Sequence, residues 1–279
     1  MRVHFLGVRG STPAPGPEFL RYGGDTSSLA VGHDGEPPTL LLDAGTGARR
    51  LKGLLGDDPF RGALLLTHLH WDHTHGLPFS RSLDHPDSEV DLYLPAQADG
   101  SAADLLARGM SPPHFPIRPE GLRGRWRFHA LEPGTAELGG FTVTAVAVPH
   151  KGGRTYGYRV AAGGSSLAYV PDHGPAALGP GPDGLGARHP AALELARGVG
   201  ALVHDSQHTV AEFPPRAHFG HSSIDYAVDL GTRAGARRVV LFHHDPDRTD
   251  DELDAIARTW ADHPGPQVIV ASQCLTLDL

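Results

Sequence analysis

With 279 residues the chain is long enough to bury a full core, and no low-complexity linker or solenoid-length repeat divides it, so it reads as a single domain over 1–279. One cysteine, Cys274, excludes a disulfide framework and a thiolate-rich zinc cluster, so any metal must be held by nitrogen and oxygen donors. A formal charge of −8 argues against extended nucleic acid as a partner; the N-terminus carries no apolar leader and no run of about 18 apolar residues occurs, which together point to a cytoplasmic chain without a membrane anchor.

Short apolar runs separated by turn signals predict strands at 3–8, 28–31, 39–45, 63–68 and 91–95. Several of these runs are continuous rather than alternating, as expected of strands buried on both faces. The second half repeats the style in WRFHAL, FTVTAVAVPH, TYGYRVA, SLAYVPDHG, ALVHDSQ, RVVLFHHDP and QVIVAS. Helical segments are expected near 46–56, 101–109, 190–198, 222–235 and 250–262. Three of them open on capping pairs, Ser101 with Asp104, Ser222 with Asp225 and Thr249 with Glu252. Two mixed β-sheets covered by helices follow from this order. Asp43, His68, His150, Asp172, Asp205 and His243 each stand where an apolar run gives way to a loop, the edge at which α/β sheets build their sites.

The densest of these positions lies in THLHWDHTHG, residues 67–76. If its first half is extended, His68 and His70 share one face; if the chain then turns into a helix, Asp72 and His73 swing toward a second point close by. Imidazole and carboxylate ligation of metal accounts for all four positions together, where a solvated loop accounts for none of them in particular. A dinuclear centre needs further donors, and His150, Asp172 and His243 end strands elsewhere in the chain.

The HxHxDH pattern followed by such a His, Asp and His resembles the metallo-β-lactamase superfamily, over nearly the whole chain from GVRGSTP to HHDP. The resemblance implies an α/β fold with a four-layer αββα sandwich. It also implies that His68, His70 and His150 bind one divalent ion, that Asp72, His73 and His243 bind the other, and that Asp172 bridges them. Because His243 and His244 are adjacent, the residues alone do not choose between them; the match to the ligand histidine of the ribonuclease Z branch favours His243. His75, His173 and His244 are then left to the cleft or to packing. Zinc is the first choice of metal from the His-rich set, with manganese compatible with the same donors.

VHDSQHT at 203–209 and GHS at 220–222 are similar to the ribonuclease Z-like phosphodiesterase branch. Carried over by position, His221 is a proton donor to a leaving oxygen and Asp205 the carboxylate that orients and charges it, with His208 a further candidate beside them. Catalytic work then falls to Asp72, His221 and Asp205, with a metal-bridging hydroxide as nucleophile and a small or cyclic phosphodiester as substrate. A homodimer would fit the branch. The segment 94–131 lacks a glycine-and-lysine-rich arm for RNA, and its Arg118, Arg123, Arg125 and Arg127 read as ordinary loop and edge-strand charges. The cysteine-built structural zinc site of the phosphoribosyl cyclic phosphate hydrolases cannot form here. The N-terminal run resembles uncharacterised cyclic-phosphodiesterase-like members, although Asp25 stands where those carry Asn; Arg9, Ser11 and Thr26 could face the cleft or merely pack. The competing classes are a thioesterase or lactonase acting on a carbonyl, an RNA endonuclease, and a non-catalytic module, the last disfavoured because none of the seven expected ligand positions is lost. A flavodiiron-type oxygen reductase is disfavoured too, since that branch has Glu where this chain has His70.

Overall fold

Leu40-Leu41-Leu42 shows how the layers are built. In the computed structural model, which describes residues 1–279, all three leucines are fully buried, Leu40 and Leu42 toward a second sheet and Leu41 toward helices on the other side. A three-residue strand buried on both faces has no polar side, which is why its sequence is an unbroken apolar run.

The first sheet contains β1 (Arg2–Gly7), β2 (Ser28–Gly32), β3 (Leu40–Leu42), β4 (Arg61–Leu65), β5 (Glu89–Pro95), β6 (Arg125–Leu131) and β14 (Thr276–Asp278). Its order is β14-β1-β2-β3-β4-β5-β6, with β3 to β6 running parallel. The second contains β7 (Gly134–Leu138), β8 (Phe141–Val148), β9 (Thr155–Ala162), β10 (Ser165–Val170), β11 (Ala201–Asp205), β12 (Arg238–Phe242) and β13 (Gln267–Val270). Its order is β13-β12-β11-β10-β9-β8-β7; β10 to β13 are parallel, and β8, antiparallel to β9 as β10 is, points the same way as β10. The carboxyl ends of β8, β10, β11 and β12 therefore share one edge.

Between the sheets lie Phe5, Leu29, Leu42 and Leu65 from one side and Tyr158, Tyr169, Val203 and Phe242 from the other. Two buried tyrosines stitch the layers: Tyr158 donates its hydroxyl to the Leu66 carbonyl at 2.7 Å, and Tyr169 donates to Asp43 Oδ2 at 2.9 Å. The outer face of the first sheet is covered by the 3-10 turn Thr46–Leu51, α1 (Lys52–Leu55) and α3 (Ala102–Ala107); that of the second by α4 (Pro190–Leu195), α6 (Ile224–Ala234) and α7 (Asp250–Trp260). The expected four layers are present. No helix is long and apolar enough to cross a membrane.

Local expectations hold with three adjustments. The segment expected as one helix at 46–56 is mostly a 3-10 turn, with only Lys52–Leu55 α-helical before Gly56 ends it at φ 62°. Helix α6 is capped by Ser223, whose hydroxyl accepts from the Tyr226 amide, rather than by Ser222; the Ser222 hydroxyl instead donates to the His173 carbonyl at 2.7 Å. A serine next to a helix start satisfies whichever polar group the tertiary fold brings to it, and sequence cannot rank the two neighbours. Strands β7 and β14 and the short helices α2 (Trp71–Thr74) and α5 (Phe213–Arg216) were outside the expected set. The Thr249–Glu252 capping box and the Ser101 cap are formed.

Leu41 has no exposed surface and Leu20 is 77 % exposed, so the same substitution separates packing from composition. Leu41→Ala should lower the unfolding free energy by roughly 2–5 kcal/mol in urea titrations, and Leu20→Ala by less than about 0.5 kcal/mol.

Candidate metal centre

Sequence reasoning required the chain to change conformation inside THLHWDH, and it does. His70 is extended (φ −65°, ψ 154°) and serves as the residue preceding α2, whose first turn carries Asp72 and His73. The switch sends the side chains of His68 and His70 to one group of donors and those of Asp72 and His73 to another. His150, Asp172 and His243 arrive from the ends of β8, β10 and β12. The donor atoms fall into two groups, His68 with His70, His150 and Asp172, and Asp72 with His73 and His243, each within 4.8 Å among themselves.

Asp172 stands between the groups, one oxygen to each. Its Oδ2 lies 3.7 Å from His68 Nε2 and 3.4 Å from His150 Nε2; its Oδ1 lies 3.0 Å from His73 Nε2 and 3.2 Å from His243 Nε2. On the second group's far side, Asp72 Oδ2 is 3.1 Å from His243 Nε2. Three of the imidazoles are aimed from behind. His73 Nδ1 faces Asp43 Oδ2 at 2.8 Å, His150 Nδ1 the Gly220 carbonyl at 2.7 Å, and His68 Nδ1 the Thr67 hydroxyl at 3.1 Å. With Nδ1 donating to those oxygens, the Nε2 lone pairs point into the cluster, the tautomer that metal ligation needs. His70 is turned over: its Nδ1 faces His150, while its Nε2 sits where a Cβ on Gly152 would be. A side chain there would push His70 out of line, and Gly152 is also at φ 85°.

These residues fit divalent cations. His68 Nε2, His73 Nε2 and Asp172 Oδ1 are buried and have no hydrogen-bond partner, although polar atoms at such depth are ordinarily paired. The charge balance points the same way. Burial by itself would lower the pKa of His73, yet Asp72, Asp172 and Asp43 overrule it and drive it well above its ordinary value. Burial raises the Asp72 and Asp172 carboxyls, and the imidazoles around them hold both well below the usual carboxylate range. Positive charge is thus favoured among the buried carboxylates, and two cations would neutralise what no single proton can.

His221 and Asp205 adjoin the cluster. Asp205 ends β11 fully buried, and its Oδ2 is 3.0 Å from His221 Nδ1 and accepts from the His173 amide at the same distance. Burial pushes His221 down, but Asp205, with Asp172 and Asp72 behind it, more than offsets this and raises it to about 9. A third grouping, Asp172 with His221 and His243, also lies within ligation distance. His221 Nδ1 is occupied by Asp205 and stands 3.8 Å from Asp172, so the ring sits beside the cluster.

Of the neighbouring histidines, His244 is turned away and bonds the Ala271 carbonyl at 2.8 Å, His173 pairs with His204 at 3.0 Å, and His75 stacks on Trp71 at the surface. His208 is buried with its ring edge toward His221, 6.2 Å between centroids. The N-terminal run splits its roles. The Ser11 amide donates to Asp72 Oδ2 at 2.7 Å, whereas buried Arg9 braces two loops through the carbonyls of Gly23 in one and of Asp245 and Arg248 in the other. Thr26 pairs with Thr46, and Asp25 accepts from Arg50 and Gln273. Sequence reasoning noticed Asp43 only as a strand-end acid. In the structure it collects the Thr67 amide and hydroxyl, the Tyr169 hydroxyl and His73. Its signal was present in an isolated acid closing the run TLLLD. Nothing in the sequence marks Gln207, whose Nε2 reaches the Ser11 hydroxyl at 3.1 Å and lies 3.5 Å from His243 Nδ1.

A family profile described as "Beta-lactamase superfamily domain" matches residues 39–244, which spans every residue of the cluster. The chain belongs to this superfamily. Among curated relatives, the ribonuclease Z of Haloarcula marismortui is 33 % identical over 121 residues, a match that spans 42 % of this chain and only 36 % of that protein. The ribonuclease Z of Synechococcus sp. (strain WH7803) aligns across 100 % of this chain and 96 % of its own length at 25 % identity. A crystal structure described as a new diphosphatase from the PhnP family superposes with a TM-score of 0.70 at 22 % identity, covering 100 % of this chain and 97 % of that one, and so shares the fold. The protein is accordingly a member of the metallo-β-lactamase superfamily with a His/Asp cluster able to hold metal.

Two substitutions probe the cluster. Asn tolerates the left-handed conformation that Asp43 adopts at φ 60°, so Asp43→Asn should keep the fold while removing the charge behind His73; metal affinity by chelator competition should fall about 10–100-fold. Metal analysis of His243→Ala should show loss of bound metal, while His244→Gln should retain the full complement.

Proposed function

We propose that the chain is a dinuclear metal-dependent phosphodiesterase acting on a small diester. The observation that carries this reading is the His221–Asp205 pair beside Asp172. Hydrolysis of a thioester expels a thiolate, which departs with little need of an acid, whereas a departing alkoxide needs one. An imidazole held protonated by a buried carboxylate, in the same pocket as Asp72 and Asp172, is placed to supply it. The names of the ribonuclease Z relatives support a phosphorus ester as the substrate.

His68, His70, His150 and Asp172 would hold one divalent ion, and Asp72, His73, His243 and Asp172 the other. Bound there, such ions supply Lewis acidity toward a phosphate oxygen and lower the pKa of water, and zinc suits a donor set dominated by imidazole. The chain's own part is positional. Ser11, Leu69, Trp71 and His221 join Asp72 and Asp172 around a pocket of about 330 Å³, large enough for a phosphate and its two ester oxygens. Asp205 fixes His221 through Nδ1, leaving Nε2 to face that pocket and give its proton to the ester oxygen that departs. Asp43, Thr67 and Ser11 keep His73, His68 and Asp72 from relaxing toward solvent.

The purified, zinc- or manganese-loaded protein should hydrolyse bis(p-nitrophenyl) phosphate, and Asp72→Ala should abolish this. His221→Ala should lower kcat on a diester with an alkoxide leaving group by about 10²–10⁴-fold, and much less with p-nitrophenolate, which departs without protonation. Faster cleavage of thioesters or lactones than of any diester, with His221→Ala neutral on both, would move the protein to the carbonyl class.

A further inference from the structure

The reactive pocket opens, past Leu69, His70 and Trp71, into a much larger cleft of about 1180 Å³. Small-molecule sites commonly enclose about 300–1,000 Å³, so the cleft is more than a phosphate and a short alkyl group require. Its lining comes from α2 and the loop after it, from α3 with the segment that follows, and from the Lys151–Arg154 turn. This is the part of the chain in which the residues outside the metal cluster have no assigned work.

Its chemistry differs from the rest of the surface. Arg118, Arg123, Arg125 and Arg127, the arginines conspicuous in the sequence, are each neutralised by a carboxylate. Arg49, Arg81, Arg108 and Lys151, which line the cleft, form no ion pair, and Asp99 is the only acid lining it. In a chain of net charge −8, four unpaired cations gathered on one concavity favour an anionic occupant. Between them sit large aromatic surfaces in water: Trp71 is 71 % exposed and Phe79 60 %. The indole of Trp71 is held flat by His75 behind it, ring centroids 5.6 Å apart and planes within 16°, and Phe79 is set edge-on by Phe115 at 6.0 Å. An indole already stacked on one face presents its other face as a preformed platform for a planar group.

We propose that this cleft is a nucleotide subsite, in which Trp71 stacks a nucleobase and the unpaired cations hold further phosphate or ribose oxygens. The proposal rests on the phosphodiesterase reading and names its substrate class: a small diester with a nucleoside on one arm. The geometry also says which arm. His221 lines the reactive pocket and not the cleft, so we assign the oxygen it protonates to the reactive pocket and the nucleoside arm to the cleft. The P–O bond that breaks is the one facing His221, the new P–O bond is to the water oxygen, and the nucleoside arm stays with the phosphate. The product retained in the cleft is therefore a nucleoside monophosphate.

Calorimetric titration of the metal-loaded protein with adenosine 5′-monophosphate and with ribose 5-phosphate tests this without turnover. The nucleotide should bind at least about tenfold tighter than the sugar phosphate, and Trp71→Ala should erase most of that ratio, within the roughly 5–100-fold effect of removing one base stack, while Trp71→Phe retains much of it. Arg81→Gln together with Arg108→Gln should weaken both ligands and reduce the salt dependence of binding. Equal affinity for the two ligands, or a ratio unchanged in Trp71→Ala at full metal content, overturns the subsite. Binding of a single-stranded oligonucleotide more than a hundredfold tighter than the mononucleotide overturns the small-substrate form of it. Failure of the phosphodiesterase reading shows separately, as absence of diester turnover by the unmodified enzyme with the nucleotide preference intact.

Discussion

Four carboxylates withdrawn from water set the terms for the rest of this protein. Asp43 and Asp205 have no exposed surface, Asp172 has 1 % and Asp72 has 6 %. An isolated carboxylate at such depth would cost several kilocalories per mole, so each must be met by donors or cations. The donors come from everywhere in the fold: backbone amides at Ser11, Thr67 and His173, the Tyr169 hydroxyl from the opposite sheet, and the imidazoles of His73, His221 and His243. The two sheets must therefore meet along the edge where their strands end, because no single element carries enough partners. Divalent ions would complete the same balance at the Nε2 atoms and the carboxylate oxygen that the cluster leaves without hydrogen bonds.

Backbone geometry around the site reflects the same demand. Only four non-glycine residues have positive φ, and three of them, Ser11, Asp43 and His243, touch the cluster. Each stands where a chain leaving a strand must turn sharply to bring a side chain or amide to a fixed point. Such conformations persist when the surroundings over-determine them, and here buried hydrogen bonds and tight glycine approaches do so. Gly10 illustrates the second, since a Cβ on it would run into the His243 ring.

Charge is divided between two surfaces with different purposes. The arginines of the β5–β6 region and its loop spend their charge on neighbouring carboxylates, a common arrangement for a solvated face that contributes little to binding or stability. The unpaired cations of the cleft share its lining with exposed aromatic rings. The reactive pocket is small and built from strand ends; the cleft is wide and built from loops and short helices. Rigid chemistry on the sheet edge with selectivity on adjacent loops lets one be altered without disturbing the other.

The layered fold was legible because its strands are buried on both faces and must be written as apolar runs, and the seven positions that gather into one cluster stood out because few other roles explain acids and imidazoles at the ends of such runs. The resemblance carried by HxHxDH implied how they would divide between two metals. Other features lay beyond the sequence, and each is a matter of three-dimensional placement. His243 and His244 differ only in which way a left-handed turn points them. Ser222 and Ser223 are equally good caps until the fold brings the His173 carbonyl to one of them. Asp43 is an ordinary turn acid until Tyr169 and His73 converge on it from other elements. Which arginines are paired depends on strands 30 to 40 residues apart in the chain lying side by side, as Arg127 and Asp91 do. The sequence by itself determined which atoms are available for the chemistry; the tertiary structure decided which of them share a pocket, since proximity between distant residues comes from packing and no local pattern encodes it.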